Sequence, residues 1–137
     1  MNKKIMVVDD DHEILTLLNF MLSRRGYIVY SARNGIIALE MLNTSTPDLF
    51  IVDIMMPGMN GFDLCERIRS RIETANTPII IFSADSSPQN KEKGIAVGAN
   101  DFLRKPIKNA ELLVKIASAL EMRDSVGDPE SGQAGHY

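Results

Sequence analysis

The sequence has no tryptophan, a single cysteine and only 6% aromatic residues. The lone thiol, Cys65, excludes an internal disulfide and any zinc site built from several cysteines, and it fits a reducing cytoplasm. Neither sign of charge dominates: 15 lysines and arginines stand against 18 aspartates and glutamates, for a net charge of −3. Such a chain lacks the basic excess with which a direct nucleic-acid binder neutralises phosphates. Long hydrophobic runs are also missing. After the basic start, only Ile5 to Val8 are apolar before three aspartates, too short for a signal-peptide core or a membrane span. No internal repeat is present. The stretch from Asp124 to Tyr137 has almost nothing to bury, so it reads as a disordered tail or linker stub behind a domain of residues 1–123.

What remains is 137 residues, 45% of them hydrophobic, enough for one domain with a core of its own. Short apolar runs alternate with amphipathic stretches. The runs are Ile5 to Val8, Tyr27 to Ser31, Leu49 to Val52, Ile79 to Phe82 and Phe102-Leu103. Three of them are nearly continuous in Val, Ile, Leu and Phe, as strands buried on both faces of a parallel sheet should be. Helical spacing links Ile14, Leu15, Leu18 and Leu22, with Gly26 as the stop. Further helices are predicted over Ile36 to Leu42, Phe62 to Ile68, the more polar Gln89 to Val97, and Leu112 to Leu120 with Asn109 as its cap. Five repeats of strand then helix call for an α/β fold: a parallel sheet with helices on both faces.

Ligands of open α/β sheets bind outside the carboxyl ends of the strands. There the first run ends in Asp9, Asp10 and Asp11, the third in Asp53, the fourth in Ser83, Ala84 and Asp85, and the fifth in Lys105-Pro106. Asp9, Asp10 and Asp53 cannot crowd together uncompensated, because like charges raise each other's pKa. Lys105 offsets one of them, and a divalent cation balances the rest. Hard oxygen donors with room for water and phosphate favour Mg²⁺. A carboxylate beside Mg²⁺, a lysine and a hydroxyl is equipped for phosphoryl transfer, with Asp53 as nucleophile and Lys105 and Ser83 on the phosphoryl oxygens. No group looks able to activate water strongly.

These residues resemble the receiver domain of two-component response regulators over roughly residues 3 to 122. Four pieces carry the likeness: Val7-Val8-Asp9-Asp10; Val52-Asp53 through Pro57-Gly58 to Gly61; Ser83-Ala84; and Gly98-Ala99-Asn100-Asp101-Phe102-Leu103-Arg104-Lys105-Pro106. The resemblance implies a flavodoxin-like (βα)5 domain with strand order 2-1-3-4-5. It implies Asp53 as phosphoacceptor, Mg²⁺ held by Asp9, Asp10, Asp53 and the backbone carbonyl of Met55, and Ser83 and Lys105 on the phosphoryl group. A cis Lys105-Pro106 bond is implied too. So is a switch in which Ser83 is drawn inward and Phe102 follows, changing the face made by the fourth helix, fifth strand and fifth helix. Partners implied are a sensor histidine kinase or histidine phosphotransfer protein upstream and an unknown target downstream. The domain would act as a monomer or a phosphorylation-dependent homodimer, and catalyse nothing beyond its own phosphorylation and dephosphorylation.

Ser83, Phe102 and Asn60 depart from the family's more frequent Thr, Tyr and Asp, yet each keeps its chemical role. Met55 and Asp85 sit where the family varies its dephosphorylation rate, and Met55 cannot position a water, so slow decay is expected. Plainer roles fit other residues. Asp11 suits a helix cap, His12 a solvent-facing first turn, Cys65 the core, Met55, Met56 and Met59 loop packing, and Gly58 and Gly61 a turn. Two rivals remain at this point. One is a degenerate receiver that binds partners without phosphorylation. The other is a small phosphohydrolase of the haloacid-dehalogenase type using Asp9 and Asp11, against which Glu13 and the short chain both speak.

Overall fold

The computed structural model describes residues 2–127. Five strands alternate with five helices: β1 (Lys4–Val8), α1 (His12–Ser23), β2 (Ile28–Ala32), α2 (Gly35–Met41), β3 (Leu49–Asp53), α3 (Gly61–Arg69), β4 (Ile79–Ser83), α4 (Pro88–Ala96), β5 (Asp101–Arg104) and α5 (Asn109–Gly127). All strand pairs are parallel and the order is β2-β1-β3-β4-β5, the flavodoxin-like arrangement. β3 and β4 are buried along their whole length. Alternate residues serve two cores. Met6, Val8, Phe50, Val52 and Ile81 face α2 and α3, meeting Ala38, Leu64, Cys65 and Ile68. Ile5, Val7, Leu49, Ile51 and Ile80 face α1 and α5, meeting Leu18, Leu22, Leu112 and Ile116. This two-sided burial is why the central strands read as unbroken apolar runs. Cys65 is wholly buried, and that burial pushes its thiol up to about 12, an inert core residue.

Side-chain caps start the helices where the sequence supplies them. Asp11 accepts from the Glu13 N–H at 3.0 Å at the head of α1, Asn34 caps α2, and Asn60 forms a reciprocal box with Asp63 on α3. Several boundaries differ from the sequence expectation, most of them by one residue. β2 lies one residue later, at an edge where half-exposed positions weaken the pattern. Asn109 opens α5 rather than capping it, since the Leu112 N–H already donates to the Lys108 carbonyl. Helix α5 also carries on through Asp124 to Gly127, beyond the boundary expected at residue 123, and Asp124 pairs with Lys3 at 2.7 Å. Residues 128–137 of the expected tail lie outside the described residues. No helix among those described is long and apolar enough to cross a membrane.

The end of the sheet remote from Asp53 is held by one residue that the sequence pattern did not single out. Arg69, at the end of α3, donates to the carbonyls of Thr74 (3.0 Å) and Thr77 (2.7 Å), twice to that of Gly98 (3.1 and 2.7 Å), and to Asn100 Oδ1 (3.0 Å). Gly98 has φ of 99°, and a Cβ there would lie 2.7 Å from Arg69 Nε, so this turn needs glycine twice over. Arg69 thereby ties α3, a 3-10 turn at Ile72–Thr74 and the α4–β5 turn into one unit. Arg69→Ala should lower unfolding free energy by about 3 kcal/mol, because several part-buried carbonyls lose their donors together. Urea unfolding should show a lower midpoint with unchanged slope. Arg69→Lys should restore less than half, since an ammonium cannot span the same acceptors.

Candidate functional site

Parallel register carries the polar strand ends to one edge. Val8 pairs with Val52, Asp53 with Phe82, and Ser83 with Arg104. Asp9 therefore follows β1, Asp53 ends β3, Ser83 ends β4, and Lys105 stands one residue past β5, its N–H donating to the Ser83 carbonyl at 2.9 Å. Asp9, Asp53 and Ser83 are 1%, 4% and 3% exposed, whereas Asp10 is exposed. Carboxylate oxygens of Asp9, Asp10 and Asp53 lie within 4.8 Å of one another. Lys105 Nζ reaches Asp9 Oδ2 at 2.9 Å and Asp53 Oδ1 at 3.4 Å, above the Phe82 ring. The Lys105–Pro106 bond is cis.

The charges are strained in a readable way. Burial raises the Asp53 carboxyl from 3.8 to about 6, Asp9 adds to the rise, and Lys105 and the Met55 N–H oppose it. Burial pulls the Lys105 ammonium down, but Asp9 and Asp53 outweigh it and hold it above its ordinary value. Asp9 Oδ1 accepts from the Asp11 N–H at 2.9 Å, while its buried Oδ2 has the Lys105 ion pair and no aligned hydrogen bond. A buried oxygen left in that state, beside two further carboxylates, fits a hard divalent cation such as Mg²⁺.

Around this centre the remaining candidates separate. Ser83 Oγ accepts from the Asp85 N–H at 3.1 Å, which ties it to the loop entering α4. Phe102 is half-buried against the core on the α3 side. Met55 presents a side chain 66% exposed, while Met56 is buried and Met59 packs on Gly35, so loop packing describes two of the three methionines. His12 is exposed and not among the converging residues. Asp11 is engaged as the α1 cap. Gly61 does more than turn the chain: a Cβ there would strike the Asp53 carbonyl and lie 2.7 Å from Ile54 Cα, so α3 starts this close to the site only without a side chain. A groove of about 540 Å³ flanks the centre between the Ile54–Pro57 loop, Phe62 and Asn90 and Lys93 of α4. Lys93 Nζ sits 4.8 Å from the centre of the Phe62 ring, a contact that sequence spacing does not reveal. A separate cavity of about 290 Å³, against Arg69 and Arg123, contains none of the converging carboxylates.

The response regulator receiver domain family profile matches residues 5–117. This chain belongs to that family. The receiver is 36% identical over 131 residues to the alkaline phosphatase synthesis transcriptional regulatory protein PhoP of Bacillus subtilis, covering 96% of this chain and 53% of that one. It thus spans about half the length of that curated relative. Among solved structures it is similar to the chemotaxis protein CheY4 of Vibrio cholerae, with 32% identity, TM-score 0.85, and 87% and 99% of the two chains covered. It is also similar to a CheY-like receiver domain of Methanospirillum hungatei, with 27% identity, TM-score 0.85, and 91% and 98% covered. Receivers of this family are signalling modules of two-component systems that interact with histidine kinases and downstream effectors.

The raised Asp53 carboxyl makes stability depend on pH in metal-free solution. Below about pH 4 the group is protonated folded and unfolded alike and costs nothing. As pH rises from about 4 to about 6 the unfolded chain ionises first, so the fold loses stability; above about 6 the full cost, about 3 kcal/mol, applies. Asp53→Asn should therefore stabilise the receiver by roughly that amount at pH 7.5 in chelator and by almost nothing near pH 3.5. Paired urea curves at the two pH values check it, and equal gains at both would refute the assignment.

Proposed function

We propose that this receiver accepts a phosphoryl group on Asp53 from a phosphohistidine donor and carries it as a signal. The carrying observation is the buried Asp53 carboxylate with Lys105 Nζ at 3.4 Å and Ser83 at the next strand end. An acid with a pKa of about 6 is largely ionised at neutral pH, as a nucleophile must be. An Asp53 oxygen forms a bond to phosphorus as the phosphorus–nitrogen bond of the donor breaks and the imidazole leaves. Lys105 swings its charge between Asp9 and a phosphoryl oxygen, and Ser83 gives up the Asp85 N–H contact to donate to another. Asp9, Asp10, Asp53 and the Met55 carbonyl are the groups that would hold Mg²⁺, which when bound neutralises charge on the phosphoryl oxygens.

Ser83 and Phe102 form the switch in this reading, altering the face of α4, β5 and α5 that a downstream target or a second copy meets. The kinase side is a sensor histidine kinase or a histidine phosphotransfer protein in the cytoplasm, consistent with the unpaired Cys65. Among the described residues the other carboxylates beside Asp53 are those that would hold Mg²⁺, and the Met55 side chain cannot position a water, which supports a long-lived acyl phosphate. The phosphohydrolase reading loses its second acid, since Asp11 is occupied at the α1 cap.

Intact mass after incubation with acetyl phosphate and Mg²⁺ should show one phosphoryl adduct, lost in Asp53→Asn and on chelation. Lys105→Ala should reduce its accumulation at least tenfold, the usual scale for losing one charged donor to phosphoryl oxygens. Absence of any adduct with Mg²⁺ and donor present would instead favour a receiver that binds partners without phosphorylation.

A further inference from the structure

Helix α4 is polar, and Gly94 is its buried residue. Glycine is a poor choice for the interior of a helix, so its presence there calls for a packing reason. The reason lies on β5 and β4. A Cβ built on Gly94 would stand 2.6 Å from Phe102 Cε1, 2.7 Å from Phe102 Cζ and 2.8 Å from Ile81 Cδ1. The helix backbone therefore rests directly on the Phe102 ring and the Ile81 methyl. Gly94 is not among the glycines with positive φ, so its backbone would accept alanine without strain. The contacted atoms are the far ends of rotatable side chains. Added bulk at 94 is relieved by turning the Phe102 ring out from beneath α4.

We propose that Gly94 is a positioning residue, the seat of the Phe102 ring: lacking a Cβ, it lets the ring lie under α4 before any phosphoryl group arrives. The packing stands alone, and its effect on phosphorylation rests on the function proposed above. A ring already seated moves the resting equilibrium toward the arrangement that phosphorylation favours. The fraction populated beforehand scales the apparent ease of the reaction. The ring packs against an apolar core cluster, so the seat works by shape.

The experiment uses the full chain with labelled isoleucine methyls, as the parent, Gly94→Ala, Phe102→Leu and the double variant. In the parent, the Ile81 δ1 methyl should show a ring-current displacement relative to Phe102→Leu, with cross-relaxation to the ring. Gly94→Ala, a better helix former and so expected to fold, should remove most of that displacement and slow phosphorylation by acetyl phosphate severalfold. The double variant should match Phe102→Leu in phosphorylation rate, because the clash with the ring is gone. An Ile81 methyl unmoved in Gly94→Ala, with ring contacts intact, overturns the seat. A ring that leaves with an unchanged phosphorylation rate overturns its control over the site. A parent chain that takes up no phosphoryl group sinks the proposed function, and the methyl displacement still decides the seat.

Discussion

Two carboxylates buried side by side cannot both be charged unless a cation stands between them, and everything around Asp9 and Asp53 follows from that constraint. Lys105 answers it at 2.9 and 3.4 Å, without bringing Asp53 back to the ordinary carboxylate range. The residual strain is what makes the pocket receptive. It favours a second cation among the oxygens, while Asp53 stays largely ionised at neutral pH.

That strain is affordable because the rest of the sheet is not marginal. β3 and β4 are buried throughout, flanked by two apolar cores, and their register alone determines which side chains meet at the carboxyl edge. This part was legible in the chain. Ile5 to Val8, Leu49 to Val52 and Ile79 to Phe82 can only be two-sided strands, and strand ends in a parallel sheet converge wherever they lie in sequence. Asp9, Asp53, Ser83 and Lys105 could be brought together on paper for that reason. The cap at Asp11 was legible for a similar reason: its chemistry is local, reaching two residues along the chain.

Contacts made across the fold by long side chains were not legible. Arg69 looks like an ordinary charge on a helix end, and its acceptors are backbone carbonyls, which carry no sequence signature. Lys93 over Phe62 hides in the same way. Glycines carried more than was read from them: Gly61 and Gly94 appear as turn and helix residues, yet each marks a place where two backbones, or a backbone and a ring, come together. Helix α5 runs past the expected boundary because Asp124 to Gly127 carry a single apolar residue, Val126, too little to signal burial; Asp124 is held instead by an ion pair to Lys3.

Helix α4 shows where such a fold leaves freedom. Its ends are fixed. Ser87 caps the start and Asn90 donates to the Asp85 carbonyl, while Arg69 grips the Gly98 turn beyond its last residue. Between those anchors it contributes little apolar area, so sliding or rolling it costs few buried contacts. Its entrance shares Asp85 with the Ser83 hydroxyl, and its middle rests on Phe102. A change at Ser83 would therefore reach the head of α4 through the Asp85 hydrogen bond. In the function proposed above, the stiff sheet would hold the chemistry in place and the weakly buried helix would report it. A helix packed as firmly as α1 could not do so, because three buried leucines would resist the motion.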